Sequence, residues 1–260
     1  MSDTFVPAAW LSDGLADPDV RVVDVRDAWE YDGIGHVPGA VSIPFDEFRS
    51  SDGDEGMLPG ADRWADLLSA AGVDGDDEIV AYDDEHGVFA ARFLVTAELY
   101  GHDPGRLHVL DGDYSAWSRE RETTREAPDP EPTDYEPGEP VRSPLVGFEA
   151  VENRLDGDAV IVDTRDPEEY AAGHLPGAVN LDWLELVDPD TRGLKPCEEL
   201  ESILADRVIT PDREVLLYCN TARRISHTYL VLRHLGYEHV LFYEGSLTEW
   251  EERGGAIVTE

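Results

Sequence analysis

Ala159-Val160-Ile161-Val162-Asp163-Thr164-Arg165-Asp166-Pro167 is the stretch on which the fold turns. A short β-branched run suits a pleated strand. Asp at an N-cap and Pro at the first helical position then start a helix. The alternation continues downstream. A helix is predicted over 198–205, a strand over 214–218 and a helix over 226–235, with Gly236 as its stop. A strand over 239–243 and a helix from Ser246 to about Arg253 follow. Strands alternating with helices predict an α/β fold, a parallel sheet flanked by helices on both faces. In such sheets ligands gather at the carboxyl ends of strands, often at a helix N-terminus.

The opening stretch has a counterpart. Val22-Val23-Asp24-Val25-Arg26-Asp27 matches Ile161-Val162-Asp163-Thr164-Arg165-Asp166. Gly35-His36-Val37-Pro38-Gly39-Ala40-Val41 matches Gly173-His174-Leu175-Pro176-Gly177-Ala178-Val179, and Ile79-Val80-Ala81-Tyr82 matches Val215-Leu216-Leu217-Tyr218. A period of about 140 residues is far too long for a solenoid and implies two homologous domains in tandem. Between Pro128 and Pro144 lie six prolines, several acids and no apolar periodicity. Such a stretch is extended and semi-rigid. The expected division is 1–125, a Pro/acid-rich linker over 126–144, and 145–260.

The chain of 260 residues carries 58 acids against 20 bases, a formal charge of −38, and Lys195 is its one lysine. The hydrophobic fraction of 41% and the 6 Trp, 10 Tyr and 7 Phe still provide a core, which argues against disorder. The charge argues against nucleic-acid and anionic-membrane partners. No apolar run nears the ~20 residues of a spanning helix, and Met1-Ser2-Asp3-Thr4 lacks a signal-peptide pattern. A cytoplasmic monomer is expected. Two cysteines, Cys197 and Cys219, make no disulfide framework. Acid spread along the whole chain, with almost no lysine, resembles the proteome style of salt-accumulating halophiles and suggests a halophilic archaeon. Molar salt screens self-repulsion beyond about 3 Å. Loss of structure on dialysis to low salt is therefore expected, with circular dichroism as the check.

Cys219 follows the 214–218 strand and precedes the 226–235 helix, with Asn220-Thr221-Ala222-Arg223-Arg224 between. Backbone N–H groups, a helix dipole and two guanidinium groups there each favour thiolate over thiol. A buried structural cysteine is the alternative. Cys197, before Glu198-Glu199-Leu200, is expected as a small helix-start residue, with a resolving thiol as the other reading. His36 and His174 recur in both halves and are expected in structural turns. Arg26 and Arg165 recur likewise and are expected in intradomain ion pairs.

Tyr170-Ala171-Ala172-Gly173-His174-Leu175-Pro176-Gly177-Ala178-Val179-Asn180-Leu181 and Val240-Leu241-Phe242-Tyr243-Glu244-Gly245-Ser246-Leu247-Thr248-Glu249-Trp250 flank the cysteine loop. In this order they resemble the two signatures of the tandem-domain rhodanese (thiosulfate sulfurtransferase) family, departing at Leu247, where the family prefers an aromatic. The resemblance covers essentially the whole chain. It implies that Cys219 becomes a persulfide by attack on the outer sulfur of thiosulfate, then passes sulfur to cyanide or a thiol. The backbone of Asn220, Thr221 and Ala222 would cradle the persulfide anion. Arg223 and Arg224 would bind the sulfonate of a small anionic donor. No metal or cofactor is implied.

Tyr82-Asp83 aligns with Tyr218-Cys219, so the first half lacks the nucleophile. Its acidic Asp83-Asp84-Glu85-His86-Gly87 loop would repel the same donor, and the resemblance implies a non-catalytic domain. A metal site on that loop is a competing reading, disfavoured because adjacent residues rarely converge on one ion. The nearest rival activity is 3-mercaptopyruvate sulfurtransfer. Its family loop is uncharged, and it uses a His where Gly56 precedes Met57-Leu58-Pro59 here. Both departures favour thiosulfate. Some thiosulfate enzymes, however, carry an Arg where Glu169 stands. A rhodanese-like phosphatase needs Cys-x5-Arg, and Arg224 comes one residue early. A persulfide carrier feeding a biosynthetic partner is the remaining alternative.

Overall fold

The structure, a computed structural model, describes residues 4–50, 57–140 and 143–259. Gly56, singled out above, lies outside the described residues. The chain forms two compact units. The first contains the described residues up to Ser143 together with Pro189–Gly193, and the second the described residues of Pro144–Asp188 and from Leu194 onward.

The first unit runs β1 (Phe5–Val6), α1 (Ala8–Gly14), β2 (Val20–Asp24), α2 (Ala28–Gly33), β3 (Val41–Ser42), α3 (Ala61–Ala70), β4 (Glu78–Tyr82), α4 (Val88–Leu99), β5 (Leu107–Leu110) and α5 (Asp113–Glu120). Its strands lie in the order β1-β5-β4-β2-β3, and every pair is parallel. The central strands are apolar because both faces are covered. Val22, Val80 and Tyr82 join Leu110 and Trp117 in one buried cluster. The described residues of the Pro-rich stretch have no regular structure, yet Tyr135 anchors it, 4% exposed, with its N–H on Ser69 Oγ at 3.0 Å.

The second unit runs α6 (Phe148–Glu152), β6 (Val160–Asp163), α7 (Pro167–Ala172), β7 (Val179–Asn180), α8 (Cys197–Ala205), β8 (Val215–Tyr218), α9 (Arg223–His234), β9 (Val240–Phe242) and α10 (Ser246–Glu252). Its parallel sheet has the order β7-β6-β8-β9. A lone parallel bridge from Leu145 to Phe242 stands where β1 pairs with β5 in the first unit. Asp166 caps α7 as expected, accepting from the Glu169 N–H with Pro167 in the first turn. α9 starts at Arg223 rather than Ser226. The arginines gave no apolar periodicity by which its first turn could be read. Cys197 opens α8 after Pro196. No described helix is long and apolar enough to cross a membrane.

The recurrent motifs build the same scaffold twice. Arg165 Nη2 meets Asp163 Oδ2 at 2.6 Å and Gly173 O at 2.6 Å, with side chains 5% and 0% exposed. Arg26 repeats this with Asp24 and Gly35 O. Against the cost of burial, the hydrogen bonds and charge of Asp163 hold Arg165 above the usual guanidinium range. Removing one partner of such a buried pair costs about 3–5 kcal/mol. His36 stacks on Tyr31 and His174 on Tyr170, with ring centroids 3.7 and 3.8 Å apart. These histidines and arginines hold the strand-to-helix corners.

Candidate active site

β6 and β8 pair in register, Asp163 opposite Tyr218, so the chain leaves the sheet edge at Cys219. Cys219 is 2% exposed and its thiol is free. Its N–H donates to Ser246 Oγ at 3.1 Å, and Ser246 donates in turn to Tyr243 O at 2.8 Å. That hydroxyl lies 4.0 Å from Sγ. The Leu247 N–H donates to Cys219 O at 2.9 Å. The cysteine backbone is thus pinned to the start of α10. Sequence reading treated Ser246 only as a helix start. Its place in the second signature beside the cysteine loop was the available signal.

The loop is tight. Ala222 takes φ +65°, a left-handed conformation costly for a residue with Cβ, and it is fully buried. Arg223 N–H turns back to Thr221 O at 2.9 Å. Ser226 N–H makes the α9 bond to Ala222 O, at 3.2 Å. The N–H groups of Arg224 and Ile225 precede that bond, where a helix start offers donors to an anion.

All six expected site residues, Cys219, Asn220, Thr221, Ala222, Arg223 and Arg224, lie in this loop and first helical turn. Their charge differs from the simple expectation of a basic pair. Glu169 of α7 accepts from Asn220 Nδ2 at 2.7 Å through one oxygen and ion-pairs with Arg224 Nη1 through the other. Arg165 Nη1 approaches Asn220 Oδ1 at 3.4 Å. Asp182 also feels Arg224, although burial dominates there and pushes its carboxyl up. The residue that departs from the family pattern is therefore the one that neutralises Arg224.

The first unit treats the same place differently. β2 and β4 pair with Asp24 opposite Tyr82, which puts Asp83 at the position of Cys219. Its loop is one residue longer before the helix, and Gly87 supplies the left-handed cap. Asp83 does not project into solvent. It is 1% exposed and accepts four backbone N–H groups. Glu85 and Gly87 reach one oxygen at 2.8 Å each, and Phe89 and Ala90 reach the other at 2.7 and 3.0 Å. Burial pushes its carboxyl up to about 6 against the pull of those donors. The acidic loop is thus an anion cradle filled by its own side chain.

A repeated α/β domain with one cysteine at a strand end, facing a helix start, defines the class of protein. The rhodanese-like domain family matches the chain twice, over residues 7–120 and 148–253. The chain belongs to the rhodanese family of sulfurtransferases. It is 34% identical to a thiosulfate sulfurtransferase of Pseudomonas aeruginosa, covering 92% of this chain and 91% of that one. It is 32% identical to the sulfur carrier protein TtuD of Thermus thermophilus, over 99% of this chain and 97% of the relative. Among solved structures, SseA of Escherichia coli, described as a 3-mercaptopyruvate sulfotransferase, superposes with a TM-score of 0.84 at 25% identity, covering 94% of this chain and 99% of that one.

Proposed function

We propose that the chain transfers the sulfane sulfur of thiosulfate to cyanide or a thiol through a persulfide on Cys219. The observation that carries this reading is the buried strand-end thiol at the mouth of a helix N-terminus. The Cys219 thiolate attacks the outer sulfur, the S–S bond of thiosulfate breaks, and sulfite leaves with the electron pair. The acceptor then attacks the terminal persulfide sulfur. Cyanide leaves as thiocyanate, or a thiolate as its own persulfide, and the Cys219 thiolate returns. One hard transfer becomes two easier ones.

Asp83 supports the second half of this scheme. A persulfide ends two bonds beyond Cβ, as a carboxylate oxygen does. The sister loop already holds such an anion on the N–H groups of Phe89 and Ala90, counterparts of Arg224 and Ile225. Asn220, Thr221 and Ala222 line the cradle. Arg223 and Arg224 bind the sulfonate, Arg224 by exchanging Glu169 for the donor.

That exchange favours one second reading. Thiosulfate, a dianion, must displace a carboxylate to reach Arg224, whereas 3-mercaptopyruvate carries a single charge. Comparing turnover of the two donors separates them. The primary test is to mix the protein with thiosulfate in high salt without acceptor. A mass gain of one sulfur at Cys219, absent in Cys219→Ser, is expected. An unmodified Cys219 would refute the scheme. Persulfide without turnover of small acceptors would instead support a carrier.

A further inference from the structure

One ion pair stands beside the Cys219 loop. Glu169 of α7 accepts from Asn220 Nδ2 at 2.7 Å through one oxygen and pairs with Arg224 Nη1 through the other. Asn220 follows the nucleophile, and Arg224 lies in the first turn of α9. The Glu169 and Arg224 side chains are 28% and 30% exposed. Small solutes can therefore reach both, while partial burial leaves their charges less screened by salt than those of the open surface.

The pair opens from the Glu169 side without stranding its partners. Asn220 Oδ1 keeps Arg165 Nη1, at 3.4 Å. Arg224 keeps two further carboxylates in electrostatic reach. The Glu169 side chain and N–H, and after them Arg224, hold the Asp166 carboxyl below its usual range. At Asp182 the pull of Arg224 is also felt, although burial outweighs it.

A ping-pong site receives donor and acceptor in turn at one nucleophile. An anionic donor opens the ion pair by taking Arg224. The acceptor meets a different site, a persulfide anion on Cys219 with the Glu169 carboxylate nearby. An attacking thiolate brings one more negative charge to that place, and like charges at short range repel. A thiol with its own ammonium group cancels the added charge and offers Glu169 a charge-assisted partner.

We propose that Glu169 selects the acceptor, receiving the ammonium group of a small aminothiol, with thiol and ammonium on adjacent carbons, while the thiolate attacks the persulfide. This rests on the persulfide proposed for Cys219. The acceptor sulfur bonds to the outer sulfur, the bond from that sulfur to Cys219 Sγ breaks, and Sγ keeps the electron pair as a thiolate. The aminothiol leaves as its own persulfide, with no oxidant or reductant consumed, and Glu169 returns to Arg224. An arginine at position 169 would add only to anion binding. Glutamate there divides the site into an anion half on Arg224 and a cation half.

Single-turnover discharge of the preloaded persulfide tests this, in molar salt that screens the general surface charge beyond about 3 Å. The full chain is loaded with thiosulfate, freed of donor and sulfite, and mixed with cysteamine, 2-mercaptoethanol or thioglycolate. These carry an ammonium, no charge and a carboxylate beside the thiol. Intact mass follows the loss of the extra sulfur, and rates are taken per thiolate. Intrinsic thiol reactivity cancels when variants are compared. The cysteamine-to-thioglycolate ratio should fall at least about tenfold in Glu169→Gln, the equivalent of roughly 1.4 kcal/mol. Glu168→Gln makes the same change of net charge at the exposed neighbouring position and should keep the wild-type ratio. In the wild type alone, ethylammonium, a cation without a thiol, should slow discharge by cysteamine and leave 2-mercaptoethanol unaffected. An equal ratio in wild type and Glu169→Gln, the same fall in Glu168→Gln, or no competition by ethylammonium would each overturn the proposal while the Cys219 persulfide stands. Failure of thiosulfate to load Cys219 would overturn both.

Discussion

The loops after β4 and β8 leave their sheets at matching register, from Tyr82 and Tyr218, and then part. One spends its backbone donors on Asp83. The other presents a thiol to a helix start and keeps Arg224, in the first turn of that helix, on Glu169. The scaffold beneath them is the same, an Arg–Asp pair at 2.5 Å in one unit and 2.6 Å in the other. The corner is thus a structural device that serves with or without a nucleophile. In the proposed chemistry, reactivity comes from the single residue placed on it.

The largest break in this comparison is at Cys219. Cys219→Ser should fold, since Ser is small and the backbone ties to Ser246 and Leu247 remain. It should lose at least about a thousandfold in kcat/KM for sulfur transfer, because no persulfide can form. Steady-state assay and intact-protein mass spectrometry check this together. Residual turnover above about 1% of wild type would return Cys219 to the structural reading.

Asp83 is the matching test in the first unit. Asp83→Ala removes the acceptor of four backbone donors, and about 3 kcal/mol of unfolding free energy should go with it. Asp83→Asn keeps one acceptor oxygen and should lose less. The pH dependence has a definite sign. Burial raises the folded carboxyl from 3.8 to about 6, so between these values the native state binds more proton than the unfolded chain. The Asp83 contribution to stability therefore falls as pH rises from about 4 to about 6, by roughly 3 kcal/mol, and is level above. Denaturant unfolding of wild type and Asp83→Asn across that range isolates it by difference. A difference that rises with pH would mean that the four donors outweigh burial.

How much of this contrast could be read in the sequence depends on its range. Strand-to-helix order, the repeat and the Cys219 address were legible because they rest on local patterns, such as Ile161-Val162-Asp163 and Asp166-Pro167. The missing nucleophile was legible from Tyr82-Asp83. The four donors on Asp83 were not, because a loop conformation with Gly87 at φ +84° must exist before they converge. Neither was the Glu169–Arg224 pair, which joins residues 55 apart. The tip Pro189–Gly193 belongs to the first unit through Arg192 on Asp113 at 2.7 Å, and nothing local in that pentapeptide announces it.

A smaller effect is expected at the arginines. Arg223→Ala with Arg224→Ala should raise KM for thiosulfate about tenfold or more, while Cys219 still accepts sulfur. Glu169→Gln sharpens the point. It releases Arg224 and should lower KM for thiosulfate, bringing the site closer to a basic one. An unchanged KM in both variants would remove the pair from donor binding.

The smallest expected effect compares two helix ends. α3 finishes in a left-handed turn at Gly72, φ +69°, with Gly72 N–H on Ser69 O and Val73 N–H on Leu68 O. α8 finishes in the same turn, Val208 N–H on Ala205 O and Ile209 N–H on Leu204 O, but with Val208 at φ +60°. Glycine takes this conformation freely, whereas a residue with Cβ is disfavoured by about 1–2 kcal/mol, and a β-branched one is an outlier. Val208 is 55% exposed, so little burial is lost on truncation. Val208→Gly should therefore stabilise the protein by about 1 kcal/mol, once the extra unfolded-state freedom of glycine is deducted. The reverse change, Gly72→Val, should cost more than that, because a Cβ at 72 would sit 2.7 Å from Pro130 Cβ. Urea unfolding of both variants measures the asymmetry. If Val208→Gly destabilises, the Val side chain contributes packing that outweighs its backbone strain, and the two helix ends are not equivalent in energy despite equal geometry.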